Sequence, residues 1–221
     1  MKFRHEFKHA INYSDYISLR SRLKAVLKPD LKASQTGVYV VRSLYFDNAD
    51  DKALFEKLDG ANKREKFRLR YYNGDTGYIR LEKKSKINGL CSKQGTDIKK
   101  EQCENLLSGD RTFLKESGNT LFMELYCKME YQQLRPKTIV EYTREAYVFP
   151  AGNARITIDS NIRTGVFSTD FFNPRLVTLG TADRILEVKY DSFLPWVVSD
   201  IIQMNNRKTA GYSKYIASRL I

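Results

Sequence analysis

Residues 63–100 alternate charged and apolar side chains with the period of a β-strand, and most of the charges are positive. Successive side chains of a strand point to opposite faces, so 66–72 and 78–86 are both predicted to be amphipathic strands. The charged faces of these strands carry Lys66, Arg68, Arg70, Arg80, Glu82, Lys84 and Lys86. With twelve Lys or Arg against four Asp or Glu, 63–100 hold a net charge of +8 out of +12 for the chain. This hairpin region predicts a rigid cationic surface for a polyanion.

The length and charge of the chain limit its class. At 221 residues we expect 1–221 to form a single domain with a core of its own. The basic charge favours an anionic partner such as nucleic acid, an acidic membrane or a phosphorylated small molecule. A role in solubility alone is the simpler explanation, and the clustering of the charge argues against it.

The chain has no apolar N-terminal segment and no run of about 18 apolar residues, so neither a signal peptide nor a membrane span is predicted. Three cysteines without CxxC spacing indicate reduced thiols and a cytoplasmic protein.

The remaining segments predict a mixture of strands and helices, which is an α+β fold. Besides the hairpin, strands are expected at 3–11, 38–47, 91–98, 137–149, 154–163 and 184–190. Helices are expected from 14 to 27 after the capping residue Asn12, from 48 to 60, at 100–108, at 121–129 and from 192 onwards. A loop is expected at 165–183.

Charged faces recur on the later strands, where Arg144, Arg155, Asp159, Glu187 and Lys189 alternate with apolar residues. A sheet with one face in water would explain such a pattern. So many strands with a charged face also fit an antiparallel β-barrel with a polar interior and flanking helices. A lumen lined by unpaired cations is costly unless water or an anion compensates the charge. We therefore expect a tunnel for a multiply charged anion.

The N-terminal segment 5–9 matches HExxH, the helical signature of zinc proteases. It alternates like a strand, which puts both histidines on the face opposite Glu6, and the chain has no third histidine. Zinc protease chemistry is therefore not expected. The chain has no G-x-x-x-x-G-K-[ST], G-x-G-x-x-G or G-x-S-x-G motif, so phosphate binding would depend on side chains.

Three glutamates, Glu6, Glu82 and Glu187, lie among the cations on the charged strand faces. One interpretation is ion pairing within the sheet, which contributes little where it is exposed. The other is a site for Mg²⁺ or Mn²⁺, hard cations that take carboxylate and phosphate oxygens. Such a metal would neutralise phosphate charge during phosphoryl transfer.

Eight short segments occur together in an order found in one known family: RSLYFDN (42–48), FRLRYY (67–72), YIRLEKKSK (78–86), SKQ (92–94), EYTREAY (141–147), RITIDSNIR (155–163), ILEVKYD (185–191) and YSKYI (212–216). Their combination resembles the VTC domain, the polyphosphate polymerase domain of the vacuolar transporter chaperone complex. That domain belongs to the triphosphate tunnel metalloenzyme, or CYTH-like, superfamily. The resemblance covers almost the whole chain and implies an antiparallel β-barrel tunnel whose basic interior binds the phosphates of ATP.

The resemblance also implies roles for individual residues. Catalytic contacts to phosphate are expected from Arg68, Arg70, Lys84, Lys93, Arg144 and Arg155. Further substrate-binding side chains are expected to be Lys8, Ser213 and Lys214, together with Lys66, Lys86 and Lys189 from the charged faces. Glu187 is expected to bind Mn²⁺ or Mg²⁺, with Glu6 and Glu82 as further candidate metal ligands.

Two positions depart from the family pattern. Gly211 stands where the family often has a lysine, and Arg207 or Lys208 are candidates to replace it. Arg4 stands at the first glutamate of the ExExK pattern of the wider superfamily, which argues against a tunnel triphosphatase of the hydrolytic type.

Three functions therefore remain open at the level of sequence. The first is a metal-dependent polymerase that moves the γ-phosphoryl group of ATP onto polyphosphate. The second is a hydrolase of tripolyphosphate or of a nucleoside triphosphate. The third is a non-catalytic binder of polyanions or nucleic acid, for which exposed aromatic residues beside the cations would be expected. The expected partners are ATP and polyphosphate or another triphosphate, without a specific nucleic acid, and no oligomeric state is indicated.

Overall fold

The computed structural model describes residues 4–31, 34–165, 168–175, 179–180, 184–204 and 212–219. Its strands are β1 (His5–Ile11), β2 (Lys28–Pro29), β3 (Val38–Asp47), β4 (Lys63–Tyr72), β5 (Asp75–Ile87), β6 (Leu90–Ile98), β7 (Arg135–Phe149), β8 (Ala154–Thr164), β9 (Leu179–Gly180) and β10 (Arg184–Tyr190). Its helices are α1 (Tyr13–Val26), α2 (Lys52–Leu58), α3 (Lys100–Ser108), α4 (Thr112–Glu116), α5 (Thr120–Tyr131), α6 (Trp196–Ile201) and α7 (Lys214–Ala217). The predicted α+β fold is confirmed. None of the described helices is long and apolar enough to cross a membrane.

One antiparallel sheet organises the fold. Its strands pair in the order β1-β10-β8-β7-β3-β4-β5-β6, with β2 added to β7 and β9 added to β8. The two ends of this path meet at Arg4 and Cys91, whose backbones form a bridge with N–O distances of 3.1 and 3.3 Å.

The expected closed β-barrel needs a correction at this seam. Within the described residues, β1 and β6 share no ladder, and the backbone pairing at this seam is the single bridge between Arg4, which precedes β1, and Cys91 of β6. If the pairing continued along β1, its next partners on the other side would be the residues of the β5–β6 turn. Asn88 and Gly89 of this turn have positive φ, which is not a strand conformation. Extending the pairing in the other direction would need residues 1–3, which lie outside the described part of the chain. The structure is thus a strongly curved antiparallel sheet that is not closed into a barrel.

Helices cover the outer, apolar face of this sheet. Phe67 and Leu69 of β4 belong to one buried cluster with Leu106 of α3, Leu114 of α4 and Leu125 of α5. A second cluster joins α1 and α6 to the strands β8 and β10 through Leu19, Leu23, Val198, Ile156 and Val188. Each fully buried Leu, Ile or Phe side chain stabilises the fold by about 1.5–3 kcal/mol. Because the apolar face is held outwards, the charged face of the same strands turns to the inside.

Helix α1 begins as predicted and buries the row of apolar residues that meets the sheet. Asn12 caps it: its side chain accepts from the backbone N of Asp15, and Asp15 accepts from the backbone N of Asn12, at 2.8 and 3.1 Å. Leu19 and Leu23 are fully buried, whereas Ile17 is 48% exposed. Residues four apart share a helix face, so burying the Leu19–Leu23 row turns Ile17 towards solvent.

Candidate active site

The inner face of the curved sheet lines a cavity of about 1000 Å³. Among the described residues that line it, fourteen are Lys or Arg and five are Asp or Glu. Alternate residues of a strand point the same way, so several strands each contribute more than one charged side chain. Buried charges are costly unless opposite charges or hydrogen bonds compensate them. The positive surplus therefore suits the cavity to an anion with several charges.

One wall of the cavity is built around Glu82, whose side chain is 0% exposed. Glu82 Oε2 accepts from Arg68 Nε at 2.8 Å and Oε1 accepts from Lys93 Nζ at 2.5 Å, while Arg70 Nη1 lies 3.7 Å from Oε2. Burial raises the pKa of Glu82, but Arg68, Arg70 and Lys93 together hold it far below its usual range. Burial lowers the pKa of Lys93 to about 8 although Glu82 opposes this shift. Glu82 is therefore an ionised partner that holds three cations at the cavity.

The opposite wall is held by a second buried ion-pair network. Arg144 donates from Nε and Nη2 to the two carboxylate oxygens of Asp159, at 2.6 and 2.8 Å. Its Nη2 also lies 3.3 Å from Glu187 Oε2, and the ammonium group of Lys214 pairs with Asp159. These bonds fix the Arg144 guanidinium in the cavity wall.

Glu6 and Glu187 are neighbours that share two lysines. Lys8 Nζ lies 3.4 Å from Glu6 Oε1 and 3.9 Å from Glu187 Oε2, and Lys189 Nζ lies 3.7 and 2.5 Å from the same two carboxylates. Lys84 Nζ donates to both oxygens of Glu6 at 2.6 and 2.8 Å. Burial and the Glu187 charge raise the pKa of Glu6, but the lysines lower it to about 2. Burial also raises the pKa of Glu187, and Lys189, Lys8 and Arg144 hold it well below its usual range. Both carboxylates are thus ionised at neutral pH.

Lys66 and Tyr45 occupy the cavity beside these networks. Lys66 Nζ donates to Ser213 Oγ at 3.3 Å, and burial lowers the pKa of Lys66 to about 8. The Tyr45 hydroxyl accepts from Arg68 Nη1 at 3.1 Å. Burial raises the pKa of Tyr45, but Arg68, Arg70 and Lys66 outweigh it and lower that pKa to about 7.

Fourteen of the fifteen predicted site residues line this cavity, and the fifteenth, Glu82, lies directly behind Arg68 and Lys93. The fourteen are Glu6, Lys8, Lys66, Arg68, Arg70, Lys84, Lys86, Lys93, Arg144, Arg155, Glu187, Lys189, Ser213 and Lys214. Their roles in binding or catalysis stay predictions. Gly211, Arg207 and Lys208 lie outside the described residues.

Sequence reasoning did not assign a role to Tyr45, Tyr142 and Asp159. The Tyr142 hydroxyl accepts from Arg70 Nη2 at 3.2 Å, and Asp159 is the main partner of Arg144. Tyr142 and Asp159 lie on strand faces that the alternation pattern had already marked as polar, so strand alternation is the signal that could have found these two residues.

The expected set of three glutamate metal ligands is not brought together. Among the described residues, no group of three or more His, Cys, Asp or Glu is arranged to hold a metal ion. Glu82 is enclosed by Arg68, Arg70 and Lys93, whereas Glu6 and Glu187 adjoin each other. Magnesium is commonly held by one or two carboxylates with phosphate oxygens and water completing the shell. The pair Glu6 and Glu187 fits that donor set, and Glu82 does not.

Comparisons with solved structures show proteins that share this fold. A Hippeastrum protein described as a candidate adenylyl cyclase with a dominant triphosphatase activity is 12% identical, with a TM-score of 0.56 over 100% of this chain and 98% of that chain. A Pyrococcus horikoshii protein is 12% identical, with a TM-score of 0.54 over 98% of this chain and 99% of that chain. A Bacillus halodurans protein described as a candidate adenylate cyclase is 13% identical, with a TM-score of 0.52 over 86% of this chain and 82% of that chain. At these identities the likeness concerns the fold alone.

Comparison at the level of sequence defines the family. No match is found among curated proteins. The family model described as the VTC domain matches residues 3–221, nearly the whole chain. The resemblance seen in the sequence segments is confirmed, and the chain belongs to the VTC domain family.

Proposed function

We propose that this protein is a metal-dependent phosphotransferase that moves the γ-phosphoryl group of ATP onto a polyphosphate chain held in the cavity. The observation that carries the proposal is that fourteen Lys and Arg side chains of the described residues converge on one cavity that also contains the adjacent carboxylates Glu6 and Glu187. Membership of the VTC domain family supports it. We further propose that the cavity acts as a tunnel around a bound chain, with β1 and β6 meeting at the bridge between Arg4 and Cys91.

Strand β4 offers a row of phosphate ligands. Lys66, Arg68 and Arg70 lie on one face, and a strand rises about 3.3 Å per residue, so the row is about 13 Å long. That length is enough for contact with several phosphates in succession. Arginine forms forked hydrogen bonds with phosphate oxygens, which position the chain as well as bind it. The row therefore supports binding of the triphosphate along β4.

Glu187 and Glu6 would hold the divalent metal, Mn²⁺ or Mg²⁺. When bound, such an ion neutralises phosphate charge and polarises the group that is transferred. Lys8 and Lys189 now occupy the space between the two carboxylates. Those ammonium groups would turn to the phosphate oxygens of the substrate.

The transfer itself makes and breaks one bond. An oxygen of the terminal phosphate of the chain forms a bond to the γ-phosphorus of ATP, while the bond from that phosphorus to the β–γ bridging oxygen breaks and ADP leaves. Lys84, Lys8 and Arg144 would stabilise the charge on the equatorial oxygens. The acceptor is already ionised, so this reaction needs no general base.

The test is to follow γ-labelled ATP with Mn²⁺ and to separate the products on a gel. We expect a ladder of labelled chains from the wild type, a loss of the ladder in Glu187→Gln, and an unchanged ladder in Glu104→Gln. Glu104 is a matched control because it forms an exposed pair with Lys100 on α3. Unconsumed ATP, or label recovered only as free phosphate, would contradict the polymerase proposal.

A triphosphate hydrolase is the second candidate, and Tyr45 is the observation that favours it. Its hydroxyl lies in the cavity, accepts a hydrogen bond from Arg68, and has a pKa of about 7 because Arg68, Arg70 and Lys66 outweigh the effect of burial. A phenolate there can accept a proton from attacking water. In this case Tyr45→Phe should reduce the release of phosphate from tripolyphosphate at least tenfold and leave binding within twofold. Equal hydrolysis by the variant and the wild type would exclude Tyr45 as the base.

A further inference from the structure

Strand β1 pairs with β10 along one edge, and no described strand covers its other edge. On that uncovered side, Arg4 exchanges two backbone hydrogen bonds with Cys91 just before β1 begins. Residues of an antiparallel strand direct their backbone groups to the two sides in alternation. The residues at every second position of β1 therefore face the uncovered side, and these are Glu6, Lys8 and Ala10. Among the described residues, no backbone group bonds to these three on that side, which we call the free edge of β1.

The free edge of β1 borders the cavity. Residues near it that line the cavity are Phe7 and Lys8 of β1, Lys57 of α2, Arg64 of β4 and Lys86 of β5. Burial lowers the pKa of Lys57, and the charges of the other three cations lower it further, so these cations are crowded together. The space beside the free edge is thus part of the cavity, and cations surround it.

Three of these cations have no acidic partner within the part of the chain that the structure describes. Lys57, Arg64 and Lys86 lie within ion-pair distance of no described carboxylate. Lys84 differs from them, because its ammonium group lies 2.6 Å from a carboxylate oxygen of Glu6. Clustered cations without counter-charges attract acidic groups. The surface beside the free edge is therefore suited to a ligand that carries several negative charges.

The two faces of β1 would meet different side chains of an added strand. Residues directly opposite each other in an antiparallel pair have their side chains on the same face. A strand added at the free edge would turn the residues opposite Lys8 and Ala10 towards the cations. The residues between them would turn towards Phe7 and His9, whose rings are arranged edge to face with centroids 5.6 Å apart. The free edge thus matches an extended segment in which acidic residues alternate with apolar ones.

A second copy of this chain fits the free edge less well. Two copies paired through β1 would bring two sets of Lys57, Arg64 and Lys86 together, and like charges repel each other. Charged side chains on an edge strand, such as Lys8, also discourage pairing between copies. The same charges attract an acidic segment.

From this arrangement we infer that the free edge of β1 binds an extended acidic segment of a partner protein, which adds a strand to the sheet beside the cavity. In such strand addition the main-chain hydrogen bonds give the affinity and alternate side chains give the specificity. This surface is independent of the proposed reaction, since it needs only the free edge and the cations. Acidic side chains and a phosphate chain would contact the same cations, so each ligand should weaken the binding of the other.

The test is a calorimetric titration of the full chain with a capped peptide of four Val-Glu repeats. The comparison peptide has the same sequence with a methyl group on the backbone nitrogen of each glutamate. Methylation keeps the charge and removes the donors that would face β1. We expect the unmodified peptide to bind and the methylated peptide to bind at least about tenfold more weakly, because several backbone hydrogen bonds are lost.

Ala10 offers a matched pair of variants. Ala10→Pro removes the N–H group that faces the free edge, and proline is tolerated on an edge strand where its nitrogen faces away from the ladder. Ala10→Ser keeps that N–H group, and Ala10 is exposed, so neither change alters the core. We expect Ala10→Pro to weaken the binding of the unmodified peptide at least about tenfold. Ala10→Ser should bind the peptide like the wild type, and both variants should keep the wild-type Tm and bind tripolyphosphate within about twofold of the wild type.

The other outcomes overturn the inference and leave the proposed function untouched. Equal binding of the two peptides would show that charge alone holds them, without strand addition. Binding of neither peptide, or an equal loss in both Ala10 variants, would exclude the free edge as the site. A dimer of the wild type that Ala10→Pro converts to a monomer in analytical ultracentrifugation would show that a second copy is the partner. Failure of tripolyphosphate to bind the wild type would instead overturn the proposed function, and the peptide comparison would stand without it.

Discussion

Replacing Glu82 by Gln should make the ligand-free protein less stable and make it bind triphosphate more tightly. Glu82 is fully buried, and it compensates Arg68 and Lys93 at 2.8 and 2.5 Å and Arg70 at 3.7 Å. Glutamine has nearly the same size and no charge, so the substitution leaves the three cations without their carboxylate. A phosphate group can take over that compensation, because it offers anionic oxygens to the same donors.

The size of both effects follows from the burial of the network. Breaking a buried ion pair by removing one partner costs about 3–5 kcal/mol. In a chain of this size each kcal/mol lowers Tm by about 2–4 °C, so Tm of the free variant should fall by about 6–20 °C. A hydrogen bond to a charged group contributes about 1.5–3 kcal/mol. Arginines released from Glu82 should therefore tighten tripolyphosphate binding by about 10- to 100-fold.

Differential scanning calorimetry with and without tripolyphosphate measures both quantities. The exposed Glu104→Gln serves as the control and should shift Tm by no more than about 2 °C, since Glu104 forms an i,i+4 pair with Lys100 and such helix pairs contribute about 0.3–0.5 kcal/mol. Because a 10- to 100-fold gain in affinity corresponds to about 1.4–2.7 kcal/mol, saturating tripolyphosphate should remove about half of the Tm difference between Glu82→Gln and the wild type. A Tm difference that is as large at saturation as without ligand, or weaker binding by the variant, would refute the view that Glu82 holds the cations in the place of a phosphate.

Three further perturbations test separate parts of the site. Arg68→Ala should weaken tripolyphosphate binding about 10- to 100-fold with or without metal, because charge-assisted hydrogen bonds are lost; a loss seen by calorimetry only with metal would contradict this. Glu187→Gln should lower metal-dependent turnover of ATP by orders of magnitude while metal-free binding of tripolyphosphate survives or tightens; turnover like that of the wild type would make Glu6 the next metal ligand to test. Burial lowers the pKa of Lys66 and of Lys93 to about 8, so both lysines are charged below pH 8 and neutral above it. The affinity for tripolyphosphate should therefore fall as the pH rises from about 7 to 9. A constant affinity across this range in titration calorimetry would show that neither lysine binds phosphate.

The strands could be predicted because their residues alternate strictly. In β4 the apolar side chains pack against helices and the cations line the cavity, so each face of the strand requires its own type of side chain. Helix α1 was harder, since apolar residues occur on more than one of its faces. Ile17 is exposed, because the row of Leu19 and Leu23 meets the sheet.

The grouping of the carboxylates could not be predicted from alternation. Alternation indicates that Glu6, Glu82 and Glu187 face the interior, and it does not say which of them are neighbours. That depends on register: Glu82 is opposite Arg68 on β4, whereas Glu187 is opposite Lys8 on β1. The seam at Arg4 and Cys91 is likewise a product of the curvature of the whole sheet. Local patterns carry no information about either.

The binding of a triphosphate in the cavity is tested most directly by titrating the wild type with tripolyphosphate and with duplex DNA at about 0.15 M salt. The cations on the inner face of the sheet can be reached by a phosphate chain but not by a DNA duplex, so tripolyphosphate should bind more tightly than duplex DNA. Non-specific DNA binding rests on the release of counterions and should be no tighter than about 10⁻⁶ M at this salt concentration. The predicted result is that tripolyphosphate binds more tightly than DNA, and that Arg68→Ala weakens the binding of tripolyphosphate about 10- to 100-fold. DNA bound more tightly than tripolyphosphate would contradict the assignment of this cavity as a triphosphate site.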